Sequence, residues 1–376
     1  MNGVNLRRFE FDYDATWTAF LTDSQLNVYS RYGGRDQGDP ESRLSKPSLL
    51  HTMRQVLAAH DEMRALRAAG QVVPPPAKPN APLGNDSTSA PDFTRDQSDD
   101  FIPIFQPIPE AVVKPEEMSL LKKNHRGCVH CHQVKEYSLM QAFHDGRFGR
   151  ELLFTFPLPE SLGLEINRNF GHRIAKILPL STAAKSELHA GDEIVQVSDV
   201  PIRSELDIRW ALHRLPQTAA KVTILVRRPD DSPSSSNKLA KSKLVTTEIT
   251  LPARWREGEL SWRKSSRSIP VDWGFRAASM TALQRREASL SAEGLAIQIL
   301  SVKPRGLAAA VGLRKEDVIV ALDGERRVRS LEQLRSDMLR QFSPGDEIRL
   351  TIRRGDETLD IKGRFPDWFT EETSVP

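Results

Sequence analysis

The second half of the chain is written twice. Ser161-Leu162-Gly163-Leu164-Glu165-Ile166 matches Gly294-Leu295-Ala296-Ile297-Gln298-Ile299, and Ala190-Gly191-Asp192-Glu193-Ile194-Val195-Gln196-Val197 matches Arg314-Lys315-Glu316-Asp317-Val318-Ile319-Val320-Ala321. Each copy continues into a helix pattern (Ser204 to Leu215; Ser330 to Leu339) and a strand pattern ending in Arg-Arg (Val222 to Arg228; Ile348 to Arg354). An offset of roughly 130 residues is too long for a solenoid, whose units run about 20–50 residues, and describes a duplicated domain. Two such domains fit within 376 residues and leave room for more.

The first half is less regular. Leu6 to Phe11, Thr16 to Leu21 and Leu26 to Tyr32 read as three strands, the last two forming a hairpin across Asp23-Ser24-Gln25. A helix follows from Lys46 to Ala69, with Leu49, Leu50, Met53, Val56, Leu57, Met63 and Leu66 on one face. Residues 71–115 hold ten of the 25 prolines. Proline fixes φ and donates no backbone hydrogen bond, so this stretch reads as an extended linker. The expected division is 1–70, a linker at 71–115, a helical segment at 116–150, repeats at 151–255 and 275–368, and a connector at 256–274.

Charge excludes some classes. Basic residues number 53 against 50 acidic, interleaved without a long basic block, so no field favours nucleic acid or a membrane surface. No apolar run approaches the roughly 18 residues needed to span a bilayer. The start carries Arg7 and Arg8 but no apolar run after them, so it does not read as a signal peptide. Taken literally, that places the chain in the cytoplasm.

The order of strand, small-residue turn, Gly-Asp-x-Ile, helix and strand resembles bacterial PDZ domains of the type attached to periplasmic proteases. The second copy carries the resemblance most fully, through Pro304 to Leu313, Asp317-Val318-Ile319, Asp323-Gly324 and Pro344-Gly345-Asp346-Glu347-Ile348. The resemblance implies binding of protein or peptide C-termini by strand addition, with the terminal carboxylate held by backbone N–H groups at a small-residue turn. It assigns that turn to Leu162-Gly163-Leu164 in the first copy and Leu295-Ala296-Ile297 in the second, with Ala296 where Gly is usual. Leu206 and Trp210, and Leu334 and Met338, would wall the two grooves from their helices; taken singly, each also reads as a core residue. No Gly-x-Ser-x-Gly is present and no Ser/His/Asp set occupies a plausible catalytic domain, so the sequence supports binding rather than hydrolysis.

Cys128-Val129-His130-Cys131-His132 uses both cysteines of the chain. Cys-x-x-Cys-His is the attachment pattern of c-type haem, with two thioethers and His132 as iron ligand. Met118, His125, Met140 and His144 are candidates for the opposite axial position. A zinc site using the two thiols and some of His125, His130 and His132 is a second reading, and a redox dithiol or local disulfide a third.

The hairpin, Tyr32-Gly33-Gly34 and the long helix resemble the C-terminal half of a thioredoxin-like domain, and the whole arrangement is similar to bacterial thioredoxin-like/PDZ fusion proteins that carry a Cys-x-x-Cys-His segment. The active-site half of the thioredoxin fold is missing from this sequence, so thiol–disulfide exchange is expected only of a longer native form. The predicted fold class is α+β: a partial thioredoxin-like α/β fragment, a Pro-rich linker, a helical Cys-x-x-Cys-His segment and two PDZ-like β-barrels. The resemblance implies a truncated start and a periplasmic or otherwise extracytoplasmic location. Three functions follow: a peptide-binding scaffold beside a haem or redox site, a haem electron-transfer protein that docks through its PDZ domains, or a thiol–disulfide oxidoreductase in a longer form.

Overall fold

A computed structural model describes the chain apart from residues 1–2, 7–8, 37, 40, 72–103, 107–113, 116–117, 125–128, 230–241, 269–272, 328–329 and 367–376. The chain forms two compact units, one of Met1–Val134 with Glu151–Gly258 and one of Lys135–Arg150 with Glu259–Pro376. No helix among the described residues is long and apolar enough to cross a membrane.

In the first unit, β1 (Thr18–Thr22) and β2 (Val28–Gly33) form an antiparallel hairpin with Phe20 opposite Arg31. Asp23 builds the turn, its carboxylate accepting from the backbone N–H groups of Gln25 and Asn27, both at 2.9 Å. The third strand expected at Leu6–Phe11 is not formed among the described residues, which leave out 7–8. The described residues there are held in turns, as in the Phe9 N–H to Asn5 carbonyl bond, and the sheet has two strands. Helix α1 (Lys46–Ala68) starts where Ser45 accepts from the Ser48 N–H, with proline in its first turn.

The buried face of α1 keeps only part of the expected apolar stripe: Met63 is buried, and Val56 and Leu66 pack against the same cluster. Leu50, Met53 and Leu57 are exposed, whereas Ser48, Thr52, Ala59 and Met63 are buried. The reason is hydrogen bonding. The Thr52 hydroxyl donates to the Arg203 carbonyl at 2.9 Å, and the Ser48 hydroxyl meets the Tyr32 hydroxyl at 2.7 Å. Ala59 and Met63 pack with Tyr29, Ile104 and Phe105 in a small apolar cluster. Short α2 (Ser119–Asn124) and α3 (Cys131–His144) follow.

The first repeat contains β3 (Leu164–Ile166), β4 (Ile174–Ile177), β5 (Glu193–Val197), β6 (Val200–Pro201), α4 (Glu205–Arg214), β7 (Ala220–Pro229) and β8 (Ser242–Leu251). Strands β6-β5-β7-β8 make one antiparallel sheet and β3-β4 a second. The two are joined where Ile174 donates to Asp192 and Ile194 to His172. Leu162, Leu164, Ile194, Trp210, Leu212, Val226 and Leu251 fill the core between sheets and helix.

The second unit has the same plan: β9 (Phe275–Ser279), α5 (Ala282–Glu287), β10 (Ile297–Val302), α6 (Leu307–Ala310), β11 (Val318–Leu322), α7 (Leu331–Gln341), β12 (Glu347–Arg354) and β13 (Glu357–Arg364). Its sheet is antiparallel in the order β13-β12-β11-β10-β9. Helix α7 begins with a capping box: Ser330 accepts from the Gln333 N–H while the Gln333 side chain accepts from the Ser330 N–H.

One ion pair is duplicated with the fold. Arg228 forks onto buried Asp192 at 2.8 Å, and Arg354 forks onto buried Asp317 at 2.7 Å. Each aspartate also accepts a backbone N–H three residues upstream, from His189 or Arg314, at 2.8 Å. The Gly-Asp and Arg-Arg signatures of the repeat are therefore one interaction, which pins the strand opening β5 or β11 to the far end of β7 or β12.

Candidate peptide-binding slots

A strand-addition slot needs a strand with one unpaired edge, a helix beside it and a glycine turn at its head. In the second repeat that strand is β9, the last in its sheet and paired only with β10 among the described residues. Its head is Trp273-Gly274-Phe275. Gly274 has φ +71°, and a Cβ there would sit 2.9 Å from the Ala308 backbone nitrogen. Glycine is thus required both for the conformation and for the approach of the turn to α6. The turn is fixed by the Lys303 N–H donating to the Gly274 carbonyl at 2.8 Å. The first repeat repeats this detail, Leu178 N–H donating to the Gly163 carbonyl at 2.8 Å, with Gly163 at φ +86°. The structural partner of Leu162-Gly163-Leu164 is therefore Trp273-Gly274-Phe275.

The turn expected at Leu295-Ala296-Ile297 lies elsewhere. These residues are buried at the start of β10, which is hydrogen-bonded to β9 on one side and β11 on the other. An interior strand has no edge to offer a peptide. The sequence match had paired the first strand of one copy with the second strand of the other. The hydrophobic-Gly-hydrophobic signal that locates the turn was present further upstream, at Trp273-Gly274-Phe275.

Helix α7 flanks β9, and the Leu331 N–H donates to the Ser279 hydroxyl at 2.9 Å. Leu334 is 1 % exposed and belongs to the core. Met338 instead lines an apolar cavity of about 70 Å³ next to the glycine turn, together with Trp273, Phe275, Leu307, Leu350 and Ile361. That volume suits one modest apolar side chain.

The first slot differs. Both expected wall residues on α4, Leu206 and Trp210, have no exposed surface, and the helix is buried throughout from Glu205 to Leu212. Trp210 packs in the core, and the Arg31 guanidinium of β2 lies 3.7 Å from the centre of its ring. The segment after β2 is tied to both sides of the slot. Arg43 pairs with Glu160 ahead of the glycine turn at 2.8 Å and with Glu205 at the head of α4 at 3.1 Å. Arg168, just past β3, donates to the carbonyls of Leu44 and Glu41 at 2.7 and 3.0 Å. Arg209 on α4 donates to the Arg35 carbonyl and pairs with Asp12.

Beneath this strap, Asp207 is fully buried and accepts four hydrogen bonds: from the N–H groups of Arg31 (2.7 Å) and Arg203 (3.0 Å), the Ser30 hydroxyl (2.6 Å) and the Gln106 amide (2.5 Å). Burial raises its pKa, and burial lowers that of Arg31 to about 9, partly offset by Asp207. Around Arg43 the flanking carboxylates outweigh burial and push its pKa up. A second buried cluster joins α1 to the repeat. His51 and His172 stack at 5.1 Å and both approach the Gln55 amide. Desolvation holds the His172 pKa down at about 4.

Of the Cys/His residues, Cys128 and His125 lie outside the described residues. Cys131 and His132 open α3, and the His130 and His132 rings stack at 6.1 Å. Met118 is half-buried ahead of α2, while Met140 and His144 are exposed on α3. Among the described residues no three His, Cys, Asp or Glu side chains gather as a metal site. Cys131 lies instead on the wall of a cavity of about 600 Å³ in the first unit.

Comparison with known proteins places the second repeat. Residues 279–362 match the family model of the PDZ domain. The periplasmic serine endoprotease DegP of Salmonella typhimurium (strain LT2) is 25 % identical over 227 residues, which cover 60 % of this chain and 40 % of that protein. DegP of Escherichia coli (strain K12) gives the same figures. The chain thus spans well under half the length of these curated relatives. Among solved structures, the HtrA3 PDZ domain bound to a phage-derived ligand is 25 % identical, covering 24 % of this chain and 80 % of that one with a TM-score of 0.20. The HtrA-type protease AlgW with a decapeptide is 15 % identical, covering 39 % and 49 % with a TM-score of 0.23. By its family match, its antiparallel sheet and its glycine turn, the second repeat is a PDZ domain.

Proposed function

We propose that this chain is a peptide-binding scaffold in which the second repeat captures the C-terminal end of an extended polypeptide along β9. The observation that carries this is the edge of β9, unpaired among the described residues and headed by the Gly274 turn and the apolar cavity at Phe275 and Met338. Strand addition supplies main-chain hydrogen bonds, the turn receives the carboxylate, and the cavity selects the last side chain. The first repeat acts in this reading as a clamp for the N-terminal segment. An extracytoplasmic location fits both the periplasmic relatives and a thiol pair of the haem-attachment type. The test is a library of peptides with free C-termini, read by fluorescence polarisation against the full chain. Binding should fall at least tenfold on C-terminal amidation and on Gly274→Val, and persist in Gly163→Val. Affinity unchanged in Gly274→Val would refute the slot.

A further inference from the structure

We propose that the β9 slot selects C-terminal segments with acidic residues at the second and third positions from the end, through Arg276 on the strand and Arg335 on α7. This inference rests on the peptide-binding reading of the slot and names the ligand class that the slot takes.

Side chains alternate between the two faces of a strand. On β9, Phe275 lines the apolar cavity and the Ser279 hydroxyl accepts from the head of α7, so positions 275, 277 and 279 face the helix. Arg276 points to the other face, where it is exposed and lies opposite Ser301 of β10. Helix α7 runs against β9: Leu331 meets Ser279 at the end of the strand, and Met338 lines the cavity at its start. Arg335 comes four residues after Leu331 and three before Met338, so it shares their stripe, half-buried between the two ends of the slot. Of the acidic residues on α7, Asp337 is already paired with Arg340 at 2.8 Å, and Glu332 lies about a quarter-turn off the stripe. Neither Arg276 nor Arg335 has a carboxylate partner among the described residues.

A chain added to β9 with its last side chain in the cavity alternates as the strand does. Its penultimate side chain turns to the face of Arg276, and the one before turns to the helix and Arg335. The first repeat shows what the helix arginine does with a carboxylate. Counted from the caps Ser204 and Ser330, Arg209 of α4 corresponds to Arg335 of α7. Arg209 pairs with Asp12, which reaches it from the chain's own N-terminal segment. Counted from the glycine turns, Glu165 stands where the second repeat has Arg276, and it is paired with Lys176 of β4 at 3.6 Å. The first copy thus has one arginine at these two positions, already taken by an aspartate. The second has two, and charge complementarity assigns them to carboxylates of the incoming chain.

The test measures fluorescence polarisation of the full chain with three peptides that end in the same free valine and differ only in the two residues before it: Glu-Glu, Gln-Gln or Lys-Lys. Exposed ion pairs are worth roughly two- to fivefold each. At about 0.05 M salt the Glu-Glu peptide should therefore bind on the order of tenfold more tightly than Lys-Lys, with Gln-Gln between, and about 0.5 M salt should narrow the gap. Arg276→Glu should weaken a peptide with Glu at the penultimate position and strengthen one with Lys there; Arg335→Glu should do the same one residue earlier. A gain of affinity in each variant cannot come from misfolding. Equal affinity for the three peptides, all of it lost in Gly274→Val, overturns the charge assignment and leaves the slot standing. Tightest binding of Lys-Lys, or the same order in wild type and both arginine variants, also overturns it. Binding of none of the peptides, or binding untouched by Gly274→Val, removes the slot and this inference with it.

Discussion

Removing the Asp207 carboxylate should release the N-terminal strap from the first repeat. In Asp207→Ala the backbone N–H groups of Arg31 and Arg203 lose their acceptor, as do the Ser30 hydroxyl and the Gln106 amide. The Arg31 guanidinium, itself without exposed surface, loses the carboxylate that most favours its charge. The two orphaned backbone donors cost about 1 kcal/mol each at the low end. Stranding a buried cation adds about 3 kcal/mol. The total, about 5 kcal/mol, rivals the whole stability of many domains. With an m-value of about 3 kcal/mol per M, the urea midpoint of the first unit should fall by roughly 1.7 M. Asp207→Asn keeps a carbonyl acceptor and should lose about half as much. Hydrogen exchange adds the site-specific readout: amides of β2 should lose protection before those of β7. The reasoning is refuted if Asp207→Ala stays within about 1 kcal/mol of wild type, or if β2 and β7 lose protection together.

His172 is neutral in the fold because burial depresses its pKa to about 4, with Glu193 opposing and His51 and Arg173 assisting. Above its ordinary value of 6.5 it has no effect on stability. Between pH 6.5 and about 4 the unfolded chain takes up the proton first, and stability falls by about 3 kcal/mol at 1.36 kcal/mol per unit. His172→Gln should flatten that part of the urea-midpoint profile, and an equal slope in both proteins would reject the assignment. Gly163→Glu must adopt φ +86° and displace the Ser181 side chain, so the first unit should lose stability while β9 keeps its peptide affinity. Ser330→Ala removes the α7 cap and should cost about 1 kcal/mol by chemical denaturation.

The duplication was legible because both copies keep the same aspartate, the same arginine and a serine at the same helix start. Ser204 and Ser330 accept from the third residue after them in the structure as their spacing suggests. The register between copies was not legible at the first strand. Hydrophobic pattern alone cannot tell an edge strand from its interior neighbour, and Leu295-Ala296-Ile297 satisfied that pattern as well as Trp273-Gly274-Phe275 did. Nor was the closure of the first slot legible. Glu205, Asp207 and Arg209 are charged residues at the start of a helix, of a kind mostly found exposed. They are buried because Arg43, Arg31 and Asp12 meet them from residues more than a hundred positions away. The face of α1 was legible at Val56, Met63 and Leu66 but not at Ser48 and Thr52, which point inward to hydrogen-bond partners that no periodicity reveals.

The two slots have diverged through charge at their walls. Where the first repeat has Glu160 ahead of its glycine turn and Glu205 opening its helix, a single arginine from the strap satisfies both. A peptide entering that slot would strand two acidic groups, one of them buried, and would have to displace a guanidinium already paired at 2.6 Å with Asp36 as well. Its own carboxylate would arrive beside Glu160, adding like-charge repulsion. The second repeat has no such strap among its described residues, and its helix opens with the Leu331 N–H donating to the Ser279 hydroxyl. Duplication thus leaves one copy free to lose its ligand and keep its fold, because the strand-edge slot is peripheral to the Asp–Arg pair and core that both copies retain. The first copy uses the slot to hold its own chain, while in the proposed function the second keeps its edge for another polypeptide.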